Sequence, residues 1–225
     1  HTLFCNPAFG TQDAYHAAPI FFGMGVPGYI DDYGSVTIDT PEALRAAEFL
    51  LDARSVTIPN PGYDTCQNGF LEGSIGMFWS GQWVIPMIED AGIDYGVLAM
   101  GRPFVGVTAL MMTRQAADEF RDAPALDVML HLTSVEVQKE LVLANHTIPA
   151  LTALANDPEI AALPDVSGFY YAMLEGEPIS PSKYMNAQWS PMGLAVYNIW
   201  YEIQSPQEAL KAAQEEAERL VSEMQ

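Results

Sequence analysis

Two neighbouring runs in the middle of the chain, IDYGVLAMG (Ile93–Gly101) and PFVGVTALMMT (Pro103–Thr113), are dense in apolar residues. A strand with one wet face alternates apolar and polar side chains, whereas a strand covered on both faces does not need to. The pair is therefore expected to form two strands of a sheet packed on both sides by helices. SIGMFWS (Ser74–Ser80) is a third strand candidate, and Gly81 then turns the chain into QWVIPMIEDAG, which reads as a helix with Pro86 in or near its first turn. Strand–helix mixtures followed by a helical tail define an α/β layered protein.

Helix signals surround this centre. In TIDTPEALRAAEFLLDARSV, Thr40 suits the cap, Pro41 the first helical position and Glu42 the first turn. Leu44, Ala47, Phe49, Leu50 and Leu51 then make a broad apolar face. A short helix is expected around Cys66–Leu71, ending at Gly73. Beyond Gln115 the pattern is helical, with segments near Gln115–Leu132, Val135–Asn145, Asp157–Leu163, Gly168–Leu174, Ser190–Ile203 and Pro206–Glu223. The last opens with a Ser cap, a Pro and an early Glu. Leu3–Ile30 has no strong period and reads as short elements and loops.

The chain has 225 residues, enough for one large domain or two small ones. Its 29 acids against 9 basic residues leave a formal net charge of −20. Such a field repels phosphate backbones, so nucleic acid is not an expected partner, and it disfavours anionic membranes and strongly anionic substrates. Solubility or a salty habitat is explanation enough for the charge. No apolar run reaches the length of a membrane span. The opening HTLFCNPAFG lacks the layout of a signal peptide and begins mid-pattern, as if something upstream had been removed. Cys5 and Cys66 are compatible with a bridge in an oxidising compartment or with two buried thiols. His1, His16, His131 and His146 show no metal-ligand spacing, so no metal is expected. The 11 methionines read mostly as gap-filling core, without the Met-x-x-Met clustering that copper would favour.

Phe70 to Trp83 runs Phe-x-x-Gly, an apolar strand, then Gly-x-Trp. This resembles the FxxGxxAMxxxGxW signature of extracellular solute-binding proteins, the receptors of sugar ABC importers. IDYGVLAMGRPFVGVTALMMT is similar to the strands that cross between lobes in maltodextrin-binding members. FRDAPALDVMLHLTSVEVQKELVLANHTIPAL, LANDPEIAAL and SPQEALKAAQEEAERL resemble later family segments in the same order. NAQWSPMGLAVYNIW falls where those members keep an aromatic that contacts sugar. The family's opening region, which builds most of its first lobe, has no counterpart, and AMGRPFVG is short between the two strands.

The resemblance implies a periplasmic-binding-protein-like, two-lobed (type II) architecture. Residues 1–95 and 156–225 would form one nearly complete C-terminal lobe, and 96–155 the crossover pieces of the N-terminal lobe. It implies a sugar ligand in an interlobe cleft, an ABC permease as partner, a missing N-terminal segment or second chain, an extracytoplasmic location and no cofactor. Pyranose C–H faces stack on aromatic rings while hydroxyls need donors and acceptors. Trp83, just past Gly81 at a helix start, is expected to face the cleft rather than to pack that helix onto the sheet. Trp189 matches the second stacking aromatic. Tyr15 and Phe9 stand where the family adds another, with core packing equally open for each. Asp13 and Gln82 are candidates to reach hydroxyls. Trp79 is expected in core or hinge packing, and Trp200 and Tyr201 in the core.

Rival functions have weaker support. A glycosidase needs two carboxylates across a glycosidic bond, and nothing in their context singles out a pair from Glu72, Asp90 and Asp94. A polyamine binder would suit the acidity through carboxylates and aromatics. An assembly module would bind no solute.

Overall fold

A computed structural model of the chain describes residues 2–119 and 121–224. His1, one of the four histidines, Phe120, within the expected Gln115–Leu132 helix and at the head of one quoted segment, and Gln225 lie outside the described residues. The chain opens with β1 (Thr2–Cys5), α1 (Ala14–Gly23), α2 (Pro41–Ala53), α3 (Tyr63–Leu71) and β2 (Ile75–Phe78). Next come α4 (Ile85–Asp90), β3 (Phe104–Val105), α5 (Arg114–Asp118), α6 (Asp122–Leu132) and α7 (Val135–Asn145). It closes with α8 (Pro158–Ala161), α9 (Pro164–Leu174), β4 (Glu177–Pro178), α10 (Trp189–Trp200) and α11 (Pro206–Glu223).

Contacts divide the chain into two compact units: His1–Gly81, Ala99–Val105 and Ala172–Gln225 form the first, Gln82–Leu98 and Gly106–Tyr171 the second. These bounds differ from 1–95 with 156–225 against 96–155, because residues 82–95 and 156–171 are bonded into the second unit. Gln82 Oε1 there accepts from the Ile148 amide at 3.1 Å, and Tyr95 donates to Asp165.

In the first unit β1 and β2 pair in parallel, with Phe4 opposite Met77 and Cys5 opposite Phe78. Cys5 and Cys66 are disulfide-bonded and fully buried beside Ile75, which settles the open choice between bridge and thiols. The main core gathers α1, α2, α10 and α11 around Phe9, Phe21, Phe22, Leu50, Met192, Ile199, Trp200 and Leu210. Caps form as the sequence implies. Thr40 accepts from Ala43, and Ser205 and Glu208 make a reciprocal capping box that starts α11 at Pro206.

Leu3–Ile30 is more regular than expected, since it contains β1 and α1. Ala14, Ala17, Ala18, Ile20, Phe21 and Phe22 of α1 are all buried, so the helix has no polar face to produce a period. It also carries Pro19, which ordinarily argues against a helix interior.

The second unit has a small core of Val142, Leu154, Ile160 and Val166. Here the strand expectation is corrected. Of the two central apolar runs, only Phe104–Val105 becomes a strand among the described residues, paired in parallel with β4 in the first unit. Leu98 is 74% exposed, Val107 88% and Met111 87%. A strand exists by hydrogen bonding to a neighbour, and no described segment supplies one to these residues. Met111 therefore departs from the gap-filling reading, whereas Met185 and Met192 are core. Within the expected helix 115–132 lie α5 and α6. No helix among the described residues is long and apolar enough to cross a membrane.

Candidate functional site

In the first unit the site is organised by a residue that no motif marked. Phe104, 6% exposed in β3, has Tyr15 stacked on it at 6.0 Å and 19°, and Trp189 tilted against it at 5.3 Å. Tyr15 and Trp189, 174 positions apart in the sequence, thus share one aromatic support, and both remain partly exposed. Arg102 anchors the strand's approach, its amide donating to Pro19 O and its guanidinium to Glu177. The only hint in the sequence was the aromatic inside RPFVG, which the strand pattern explained equally well.

Trp189 starts α10. That helix sits close to the chain before α1, because a Cβ on Gly193 would lie 2.4 Å from Gln12 O. Asp13 caps α1: its carboxylate accepts from the Tyr15 and His16 amides at 3.0 and 3.1 Å and contacts His16 Nδ1 at 2.6 Å. Burial pushes the Asp13 pKa up, but His16, through its hydrogen bond and charge, and the amide donors outweigh it and hold the carboxyl below its ordinary range. Asp13 therefore already has a structural task. Burial, then the Asp13 charge, raise the Tyr15 phenol, so it keeps its proton and can donate or accept.

Phe9 is corrected. It is fully buried, stacked on Trp200 at 4.8 Å and edge-on to Phe4, so its ring has no face for a ligand. Trp79 packs on the same core with its ring 5.8 Å from Phe4, and Trp200 lies inside it. A groove of about 590 Å³ in this unit is lined by Tyr29, Asp31, Asp32, Phe104, Glu177 and Gln188 among others. Its carboxylates are engaged. Asp31 accepts from the amides of Tyr33 and Ser35, Asp32 from Ser180, and Glu177 from Arg102.

In the second unit Trp83 lies on a short 3-10 turn, Gln82–Val84, directly after Gly81, and is 51% exposed. Its neighbour Gln82 holds the Pro-containing loop through Ile148. The same unit brings Glu89, His146 and Asp165 together, with ligand atoms all within 4.8 Å of one another. Sequence spacing concealed this group, because its members come from three separate segments.

Residues 3–168 match the family described as bacterial extracellular solute-binding protein. The chain is 30% identical over 199 residues to the maltotriose-binding protein of Pyrococcus abyssi, covering 83% of this chain and 44% of the relative. It is 24% identical over 168 residues to the galactooligosaccharide-binding protein of Bacillus subtilis, covering 71% and 39%. The chain thus spans less than half the length of these curated relatives. Among solved structures, the maltose-maltodextrin binding protein of Alicyclobacillus acidocaldarius superposes with TM-score 0.82 at 24% identity, covering 96% of this chain and 62% of that one. The maltotriose-bound maltose/maltodextrin-binding domain from Bdellovibrio bacteriovorus does so with TM-score 0.82 at 18% identity, covering 99% and 60%. These likenesses show the fold, which is that of periplasmic-binding-protein-like receptors.

Proposed function

Because the chain belongs to the bacterial extracellular solute-binding proteins, we propose that it is part of a receptor for a maltodextrin-type oligosaccharide serving an ABC importer. The observation that carries this reading is Trp83, a tryptophan half exposed on a turn where burial would have been the cheaper fate. Its indole is the surface for a pyranose face; within the first unit, Tyr15 and Trp189, supported by Phe104, are candidate rings in their own right. Hydroxyls would be met by the Tyr15 phenol and by the Gln82 amide. Asp13, engaged by its cap and by His16, would contribute through its remaining acceptor capacity. The maltotriose-binding relative from Pyrococcus abyssi supports the ligand class.

The proposed action is binding, not catalysis. The sugar would stabilise a closed form of the complete receptor by differential affinity, and that form would dock on the permease. A missing N-terminal segment or second chain would complete the first lobe. An extracytoplasmic setting is supported by the family and by the Cys5–Cys66 bridge, since such bridges persist in oxidising compartments. The polyamine alternative is weakened by the engaged carboxylates of Asp31, Asp32 and Glu177.

The test is a titration of tryptophan fluorescence with maltotriose and, separately, spermidine, in the native chain and in Trp83→Ala. A saturable response to maltotriose, weakened by about 1–3 kcal/mol in the variant, is expected for loss of one stacking ring. Equal affinity in both proteins, or saturation by spermidine alone, refutes the assignment. Labelled maltotriose recovered as shorter products would refute the binding-only reading.

A further inference from the structure

The Glu89–His146–Asp165 group lies wholly in the second unit and has no part in the proposed sugar contacts. His146 Nδ1 is 2.5 Å from Asp165 Oδ2 and 3.5 Å from Glu89 Oε1. An imidazole carries at most one hydrogen on that nitrogen, so it can serve one carboxylate well and the second poorly. A cation among the three atoms would serve both. Outer-shell support is present too, because the Tyr95 hydroxyl donates to Asp165 Oδ2 at 2.8 Å, the type of contact that orients a ligating carboxylate.

The backbone offers an independent observation. His146 ends α7 with φ 52° and ψ 36°, in the left-handed region. That position is most often glycine, since a side chain is strained there. An imidazole in its place is held facing two acids, with its side chain only 17% exposed, while that of Asp165 is 7% exposed and that of Glu89 45%. Two ligands are thus enclosed and the third opens to solvent, which gives an ion a path of entry.

We propose that Glu89, His146 and Asp165 form a binding site for a first-row divalent metal ion, with Zn²⁺ as the fitting probe. The mixed set of one imidazole nitrogen and two carboxylate oxygens favours zinc-like ions over Mg²⁺ and Ca²⁺, which prefer oxygen alone. Tetrahedral bonds of about 2.0–2.2 Å place neighbouring ligand atoms about 3.3 Å apart, within reach of small side-chain rotations here. Three protein ligands leave a fourth position for water. The ion would tie α4, the end of α7 and the first turn of α9 in a unit whose described core cluster around Val142 is small. It would also brace the segment from His146 to Ile148 that Gln82, beside Trp83, holds by its amide.

The experiment is calorimetric titration of the EDTA-treated chain with ZnCl2, alongside thermal melts with Zn²⁺ or Ca²⁺ at matched ionic strength. One Zn²⁺ per chain and a melting rise with Zn²⁺ but not Ca²⁺ are expected. His146→Asn, chosen because Asn tolerates the left-handed backbone, removes the binding. Tyr95→Phe weakens it about 10-fold. Glu89→Gln, on a half-exposed side chain that leaves folding intact, weakens it at least as much. Absence of stoichiometric Zn²⁺ binding overturns the proposal. So does binding of equal strength in Glu89→Gln, which would locate the ion elsewhere on a surface of formal charge −20.

Discussion

Reduction of the Cys5–Cys66 bridge removes one covalent tie and almost no packed volume. Both sulfurs are fully buried beside Ile75, with Ile58 and Phe78 around them, and two thiols would still fill that space as small apolar groups. The loss therefore falls on the unfolded chain, which gains freedom. The bridged residues are 61 positions apart. The loop-entropy relation for that length gives roughly 4 kcal/mol at 25 °C. The assay is urea unfolding with and without a phosphine reductant, followed by ellipticity and by tryptophan fluorescence. With an m-value of about 3 kcal/mol/M, the midpoint of the first unit should fall by about 1.3 M. Cys5→Ala with Cys66→Ala should lose about 2 kcal/mol more, about 1 kcal/mol per site for the missing sulfur. A drop below about 1 kcal/mol on reduction would refute the reasoning, because the loop would then be constrained in the unfolded state without the bridge.

Two further perturbations test the first unit around Tyr15 and Trp189. The Asp13 carboxyl is held below its ordinary value of 3.8, so its charged form stabilises the fold above that pH and the contribution disappears as pH falls through the lowered value. Asp13→Asn should cost about 1 kcal/mol at pH 7, and denaturant midpoints of variant and parent should converge as the pH is lowered through the depressed Asp13 value. Gly193→Ala would place a methyl 2.4 Å from Gln12 O, forcing α10 away from the entry to α1. A loss of about 1–3 kcal/mol is expected in thermal melts, and a neutral result would show that the two segments part easily.

Local signals were legible wherever an element depends on its own residues. The caps at Thr40 and Ser205 and the prolines at Pro41 and Pro206 placed α2 and α11. The turn at Gly81 likewise left Trp83 at the start of a short helix with its side chain in the open. Phe9 and Tyr15 were not separable by the same means. They lie six positions apart in a stretch without a period, and only packing shows Phe9 sealed against Trp200 and Tyr15 resting on Phe104.

By itself, the order of residues determined the capped helices such as α2 and α11, the acidic character and the family, because caps, apolar stripes, charge and motif spacing are properties of short segments. Tertiary structure alone decided that Cys5 meets Cys66, that Phe104 brings Tyr15 to Trp189, and that His146 faces Glu89 and Asp165. It also decided that Val107 and Met111 have no strand beside them among the described residues. Strands, bridges and sites are relations between distant segments, and their free energy comes from a partner whose position no local pattern encodes.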